Sequence, residues 1–296
     1  MALSDNARGA LLMNVAMIAF TLNDTAMKAV MQQVPMFQAM TLRGVLSTAA
    51  LAFLAWRLGA FAIVIAARDR RFIGLRGVFE VASTLAFFAA LRNMPLANLS
   101  AIMQALPLVV TLVAALFLRE SVGWRRTLAI IAGFIGVLII IRPGPEGFSI
   151  WAGVGLVAML FVAVRDLVTR QMSRSIPSVL VAASASLAVL VTGLAGAVIE
   201  GWQPVAWREA LLILFSAGML IVGYLTIVAA MRVGDIGVVA PYRYMALVWA
   251  IFLGWMIFGT LPDGFTLVGA GIVVASGIYT LLREAGLRRR RVQVTG

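Results

Sequence analysis

The sequence predicts an all-α, polytopic membrane protein with ten transmembrane helices. Three observations carry this. Of 296 residues, 62% are hydrophobic and 12% are charged, where a soluble domain carries about 25% charged residues. Apolar runs of about 20 residues, enough to cross the hydrocarbon core of a bilayer, recur from one end of the chain to the other. Arginines fall between the runs in an alternation that fits an even number of spans. So few polar groups cannot cover a water-facing surface, which excludes a soluble fold of this size.

The composition also removes whole classes of chemistry. There is no cysteine and no histidine. Disulfides and thiol chemistry are therefore out. So are a histidine proton relay, HExxH zinc binding and a Ser-His-Asp triad. No catalytic set, cofactor or metal is expected. The net charge of +12 lies between apolar spans and in the tail, so it reads as topology, with no nucleic-acid partner. The first apolar segment carries Asn14, Asn23, Asp24 and Lys28 and lacks a clear small-residue cleavage site. It is expected to stay as a span and not to be cut as a signal peptide.

Taken in order, the spans are residues 8–30, 35–57, 71–92, 96–118, 125–142, 150–171, 178–199, 207–231, 238–258 and 263–283. Turn residues separate them: Gln32-Gln33-Val34-Pro35, Asn93-Met94-Pro95, Pro143-Gly144-Pro145, Ser175-Ile176-Pro177 and Leu261-Pro262-Asp263-Gly264. One side of the membrane receives Arg8, Arg57, Arg68, Arg70, Arg71, Arg76, Arg119, Arg125, Arg126, Arg170, Arg174, Arg232, Arg283 and Arg288 to Arg291. The other receives Arg92, Arg142 and Arg208. The positive-inside rule then puts both termini in the cytoplasm. Trp56, Trp124, Trp151, Trp202 and Trp207 fall at span ends and suit an interfacial belt, whereas Trp249 and Trp255 lie inside span nine.

The two halves of the chain match. Residues 85–92 (LAFFAALR) align with residues 225–232 (LTIVAAMR) at a shift of 140, and Asn23-Asp24-x-x-x-Lys28 aligns with Arg165-Asp166-x-x-x-Arg170 at a shift of 142. Pro35 then falls on Pro177. Each repeat holds five helices, and an odd number inverts the second copy, so Arg92 and Arg232 face opposite sides. Inverted repeats are the architecture of many secondary transporters, because one fold in two orientations yields two states open to opposite sides. The predicted domains are residues 1–146 and 147–285, the two inverted five-helix repeats, followed by a basic cytoplasmic tail at 286–296.

On these residues the chain resembles the drug/metabolite transporter superfamily, EamA type. The resemblance rests on Asn23-Asp24…Lys28, on Arg43 in span two and on Ala89-Ala90-Leu91 closing span three. It rests too on Pro107-Leu108…Phe117-Leu118-Arg119-Glu120 across span four. It covers nearly the whole chain and is closest to the YddG-like amino-acid and metabolite exporters. It implies an inner-membrane carrier of small metabolites. The second half departs from the pattern at Gly259-Thr260, where an acid matching Glu120 is expected.

Ionisable groups inside spans are costly and mark interiors or wet cavities. Asp24 and Lys28 stand four apart on one helix face and can pair. Asp24 can also meet Arg43, and Asp166 with Arg170 repeats the arrangement. Two readings stay open: static ion pairs, or gates that break as each side opens. Glu80, near mid-membrane in span three, is expected to stand without a basic residue one turn away. It would contact a substrate amino group or carry a proton, or else be a structural acid. Arg243, in Pro241-Tyr242-Arg243-Tyr244, would hold a substrate carboxylate or anchor at the interface. Pro107 and Pro241 are candidate helix breaks. The resemblance implies that spans three, four, eight and nine surround a central cavity. Phe79, Ser83, Phe87, Gln104, Tyr224 and Trp249 would line it, mostly apolar with few polar anchors. Singly, each of these also reads as ordinary packing. Gly133, Gly136, Gly269, Gly271 and Gly277 in spans five and ten read as scaffold or a dimer contact.

The expected function is a secondary transporter for small organic metabolites, amino acids including bulky ones, working by alternating access and as an exporter. The partners are that substrate and the lipid bilayer, with the chain a monomer or homodimer in a bacterial inner membrane. The alternatives are a passive channel and, with its acids scattered singly, an integral-membrane enzyme. No Walker motif is present to indicate ATP drive.

Overall fold

The computed structural model describes residues 4–117, 123–142, 149–173 and 175–295. Leu118, Arg119, Glu120, the Pro143-Gly144-Pro145 turn and Arg174 lie outside the described residues, as do the side chains of Arg288 to Arg291. Every regular element among the described residues is helical. They are α1 (Asp5–Val30), α2 (Met36–Arg57), α3 (Ala67–Asn93), α4 (Leu96–Met103), α5 (Leu106–Phe117) and α6 (Trp124–Ile141). Then come α7 (Ile150–Arg170), α8 (Ser178–Glu200), α9 (Trp207–Val233), α10 (Ile236–Val239), α11 (Met245–Phe258) and α12 (Gly264–Thr295). Short 3-10 turns at Ala60–Ala62 and Ala240–Tyr244 complete the list.

Among the described residues ten stretches are long and apolar enough to cross a membrane, and they coincide with the ten predicted spans. Two are composite. Span four is α4 followed by α5, and span nine is the Ala240–Tyr244 turn followed by α11. Local chemistry sets the ends. Pro35, Pro95 and Pro177 stand at the N-caps of α2, α4 and α8, where a missing N–H costs nothing. Gly201 closes α8 at φ 91°, a left-handed conformation that side chains disfavour. Arg142 is the exception, a non-glycine at φ 49° ending α6. Its guanidinium pairs with Asp263 and lies 4.5 Å over the Phe265 ring, which holds it there.

Contacts divide the chain into two compact units, each drawing on both halves of the sequence. One comprises Asn23–Met94 and Gly153–Ile221, the other Met1–Leu22, Pro95–Ala152 and Val222–Gly296. In the first, α8 packs on α2 and α3. In the second, α6 packs on α12, and α4 on α11. Glycine permits the closest approaches. A Cβ on Gly136 would sit 2.7 Å from the Gly269 carbonyl oxygen, and one on Gly193 would sit 3.0 Å from Thr41 Oγ1. Gly133 and Gly277 likewise face Leu108 and Tyr244, whereas Gly271 faces open space. Exposed apolar side chains such as Ile131, Ile135 and Leu138 on α6 make the faces that meet lipid.

Hydrogen bonds also tie span ends and connectors together within each unit. Gln38 and Gln203 exchange two hydrogen bonds, at 2.7 and 2.9 Å, and Glu200 accepts from the Phe37 amide at 2.9 Å. Those loops share a predicted side. In the same unit Asp69 accepts from the Ser173 amide at 3.2 Å, and within the other unit Asn6 accepts from the Asp235 amide at 2.9 Å.

Candidate functional site

The first unit holds two polar centres, each inside membrane spans. One is built around Asn23 on α1. Its carboxamide oxygen accepts from Ser216 Oγ on α9 at 2.7 Å and from Arg43 Nη1 on α2 at 3.3 Å. Its Nδ2 donates to Asp24 Oδ1 at 2.9 Å. The Arg43 guanidinium lies 4.8 Å over the Phe88 ring of α3, a cation–π contact of roughly 0.5–2 kcal/mol. A single amide side chain thus joins three helices, and Arg43 brings in a fourth.

Lys28, one turn after Asp24, turns its ammonium to the end of α3. Nζ donates to the Leu91 carbonyl at 2.6 Å and to the Met94 carbonyl at 2.8 Å. Helix C-termini leave carbonyls unsatisfied, and a cation there answers both the hydrogen bonds and the helix dipole.

The second centre joins α3 to α7. Glu80 is not the lone acid that was expected. Arg76, one turn earlier on α3, reaches Oε2 at 3.1 Å, and Arg165 on α7 reaches Oε1 at 3.1 Å. Arg165 also holds Asp166 Oδ1 at 2.8 Å through Nη2 and 3.0 Å through Nε. The predicted Asp166–Arg170 pair is therefore replaced. The neighbouring Arg165 takes the carboxylate, while Arg170 stands exposed at the end of α7. Arg76 Nε donates to Thr169 Oγ1 at 3.1 Å. Two cations and two anions thus cancel at one helix crossing, which lowers the cost of holding them out of water.

The remaining candidates divide between the units. Phe79, Ser83 and Phe87 lie with Glu80 along one side of α3. Ser83 is buried with its hydroxyl on the Glu80 carbonyl, Phe79 meets the Phe161 ring at 6.1 Å, and Phe87 meets Phe88 at 6.2 Å. Gln104, Tyr224, Arg243 and Trp249 belong to the other unit. Gln104 is buried at the C-cap of α4. Pro107 has no N–H to return to Met103, and the helix is interrupted at Gln104–Ala105. Pro241 opens the 3-10 turn before α11, and Arg243 is exposed on that turn. Tyr224 is half-buried on α9. Trp249 donates from Nε1 to Asn14 Oδ1 at 2.9 Å and packs against the Met13, Met17 and Ala230 cluster. An apolar groove of about 670 Å³ runs between the Ala240–Tyr244 turn, α11 and α12 and has no charged residue in its lining.

Sequence reasoning passed over Asn23, Ser216, Arg76 and Arg165 as site residues. Arg76 was legible, since it stands four residues before Glu80. Ser216 was not, because 193 residues separate it from Asn23. Among the described residues no group of three or more His, Cys, Asp or Glu is placed to hold a metal. Both centres offer charged hydrogen-bonding groups at membrane depth, and neither pairs a nucleophile with a base.

The sequence profile of the EamA-like transporter family matches residues 7–142 and, a second time, residues 149–282. The S-adenosylmethionine uptake transporter of Rickettsia conorii is 27% identical over 221 residues, covering 73% of this chain and 74% of the relative. The riboflavin transporter of Vibrio cholerae is 31% identical over 193 residues, 64% of each chain. The pseudopaline exporter of Pseudomonas aeruginosa is 25% identical over 276 residues, 91% of this chain and 94% of its own. One crystal structure shares the fold with a TM-score of 0.62, at 19% identity, over 93% of this chain and 96% of its own.

Proposed function

Because the chain belongs to the EamA-like transporter family, we propose that it carries amino acids and similar zwitterionic metabolites across the membrane by alternating access between two inverted five-helix repeats. The coarser statement is established: this is a multi-pass inner-membrane protein that transports small metabolites, and it is not an enzyme.

One observation carries the alternating-access reading. The two polar centres sit at matching positions of the repeat. Asn23 and Arg165 are counterparts at a shift of 142, and Arg76 and Ser216 at a shift of 140. Asn23 bonds to Ser216, and Arg165 bonds to Glu80, one turn from Arg76. The same crossing is thus made twice, once with neutral groups and once with charges. Two crossings at opposite depths suit two gates that open in turn.

The substrate class is supported by chemistry. S-adenosylmethionine, carried by one relative, bears an α-amino-acid head group. The centre at Asn23 offers both an acid and a guanidinium within the span region. Export is supported by the relative that aligns over 91% of the chain, an exporter by name. No residue here fixes direction, because a carrier without coupling runs down whichever gradient exists.

The test is flux into liposomes containing only the purified protein, with labelled methionine, phenylalanine and lysine, with and without a proton gradient. Saturable uptake accelerated by unlabelled amino acid on the far side supports this reading. Saturable uptake of riboflavin without any of the three amino acids replaces the substrate class. Non-saturating flux without counterflow makes the protein a pore.

A further inference from the structure

Asp24 on α1 and Arg43 on α2 are an acid and a base that share one neighbour, Asn23. Yet no ion pair within 4.0 Å joins them among the described residues. Asn23 lies between, with Nδ2 on the carboxylate and Oδ1 under the guanidinium. Ser216 fixes the orientation of that amide, because its hydroxyl donates to Oδ1 and so directs Nδ2 toward Asp24. The amide is a spacer between two charges that would otherwise close on each other.

Both charges are left with unused capacity. Arg43 is 8% exposed and carries five N–H donors, of which one makes a hydrogen bond, at 3.3 Å. Its buried Nε has no partner. Asp24 receives the Asn23 amide on one oxygen, and the residue is partly buried. Glu80 also attracts Arg43, but Arg76 and Arg165 already occupy its two oxygens. A buried guanidinium with free donors is costly unless a partner answers them. The second repeat has no equivalent, since Ala185 stands where the shift of 142 places Arg43.

We propose that Asn23 holds Asp24 and Arg43 apart as a two-pole receptor for one zwitterionic head group, whose carboxylate meets Arg43 and whose ammonium meets Asp24. This rests on the amino-acid reading above and assigns its recognition site to α1 and α2, in place of Arg243 on the turn before α11. Arg43 is about eight residues into its span from the Pro35 end, roughly 12 Å, which puts the site toward the midplane. The Phe88 ring, 4.8 Å from the guanidinium carbon, holds that end of Arg43 by a cation–π contact.

The test measures counterflow of labelled L-phenylalanine in liposomes against three competitors: L-phenylalanine, phenethylamine without the carboxylate, and 3-phenylpropionate without the ammonium. Wild type should prefer the full amino acid over either fragment by about tenfold or more, since a site built for two charged groups rejects a ligand lacking one. Arg43→Gln should abolish the preference over phenethylamine alone. Asp24→Asn should abolish the preference over 3-phenylpropionate alone. Arg43→Lys, which keeps the charge, should retain a reduced preference and shows that loss is not misfolding. The same substitutions read by ligand-induced thermal stabilisation in detergent give a second measure that does not need transport. Variants that keep both preferences, or lose all three competitors equally, overturn the site while the amino-acid reading stands. Wild type that moves no amino acid at all overturns both.

Discussion

Arg165 on α7 meets Glu80 on α3 with 3.1 Å between Nη1 and Oε1, and the other carboxylate oxygen is taken by Arg76 at the same distance. The two contacts make Glu80 the hinge pin of the α3–α7 crossing. The side chains are partly exposed, 15–23%, so water can compete for these bonds.

Glu80→Gln should therefore cut counterflow by roughly tenfold or more, because both arginines lose their shared anion. Arg165→Gln should do the same, and the double variant should be no worse than either single one, as expected of residues acting through one contact. Initial rates in liposomes at matched protein density check this. Full activity in both single variants would remove the crossing from the transport cycle.

Lys28 is expected to matter for stability first. Lys28→Met leaves the Leu91 and Met94 carbonyls without their donor, at a cost on the order of 1–3 kcal/mol. The thermal unfolding midpoint in detergent should fall, and Lys28→Arg should recover part of the loss. An unchanged midpoint for Lys28→Met would show that the α3 end finds another cap.

The α6–α12 contact predicts a contrast between two glycines. Gly136→Ala places a methyl 2.7 Å from a backbone oxygen, whereas Gly271→Ala meets nothing within 4 Å. The first should cost about 1–3 kcal/mol by forcing the helices apart, and the second should be near neutral. Equal midpoints for the two variants would contradict the close approach at Gly136.

Much of the fold was legible because bilayer thickness and chain punctuation are local properties. Ten apolar runs bounded by Pro35, Pro95 and Pro177 could be read without knowing a neighbour, and α2, α4 and α8 begin where those prolines stand. The polar centres were half legible. Asp24, Arg43 and Glu80 announced themselves as charges inside spans, but their partners are set by which helices touch. Ser216 on α9 is a small residue in an apolar run and carries no signal of its own. Arg165 was given no partner of its own, because the repeat pattern suggested an Asp166–Arg170 pair one turn apart, while the α3–α7 crossing brings a second carboxylate to Arg165. Trp249 was named as a cavity candidate from the family resemblance, and its bond to Asn14 on α1 could not be read from the sequence.

The predicted sidedness can be checked in a background that holds no native cysteine. Val64→Cys and Pro204→Cys occupy exposed loop positions that the arginine pattern assigns to opposite sides, with Val64 in the cytoplasm. An impermeant maleimide added to intact cells should label Pro204→Cys and spare Val64→Cys. Labelling of both from one side would break the alternation.

Counterflow is the measurement that tests the carrier account most directly. Liposomes holding the purified protein are loaded with unlabelled amino acid, diluted into a trace of the labelled form and sampled over time. Alternating access predicts a transient accumulation of label above its outside concentration, because every return of the binding site is occupied. Label that only equilibrates, at a rate that does not saturate, would contradict a carrier and leave a pore.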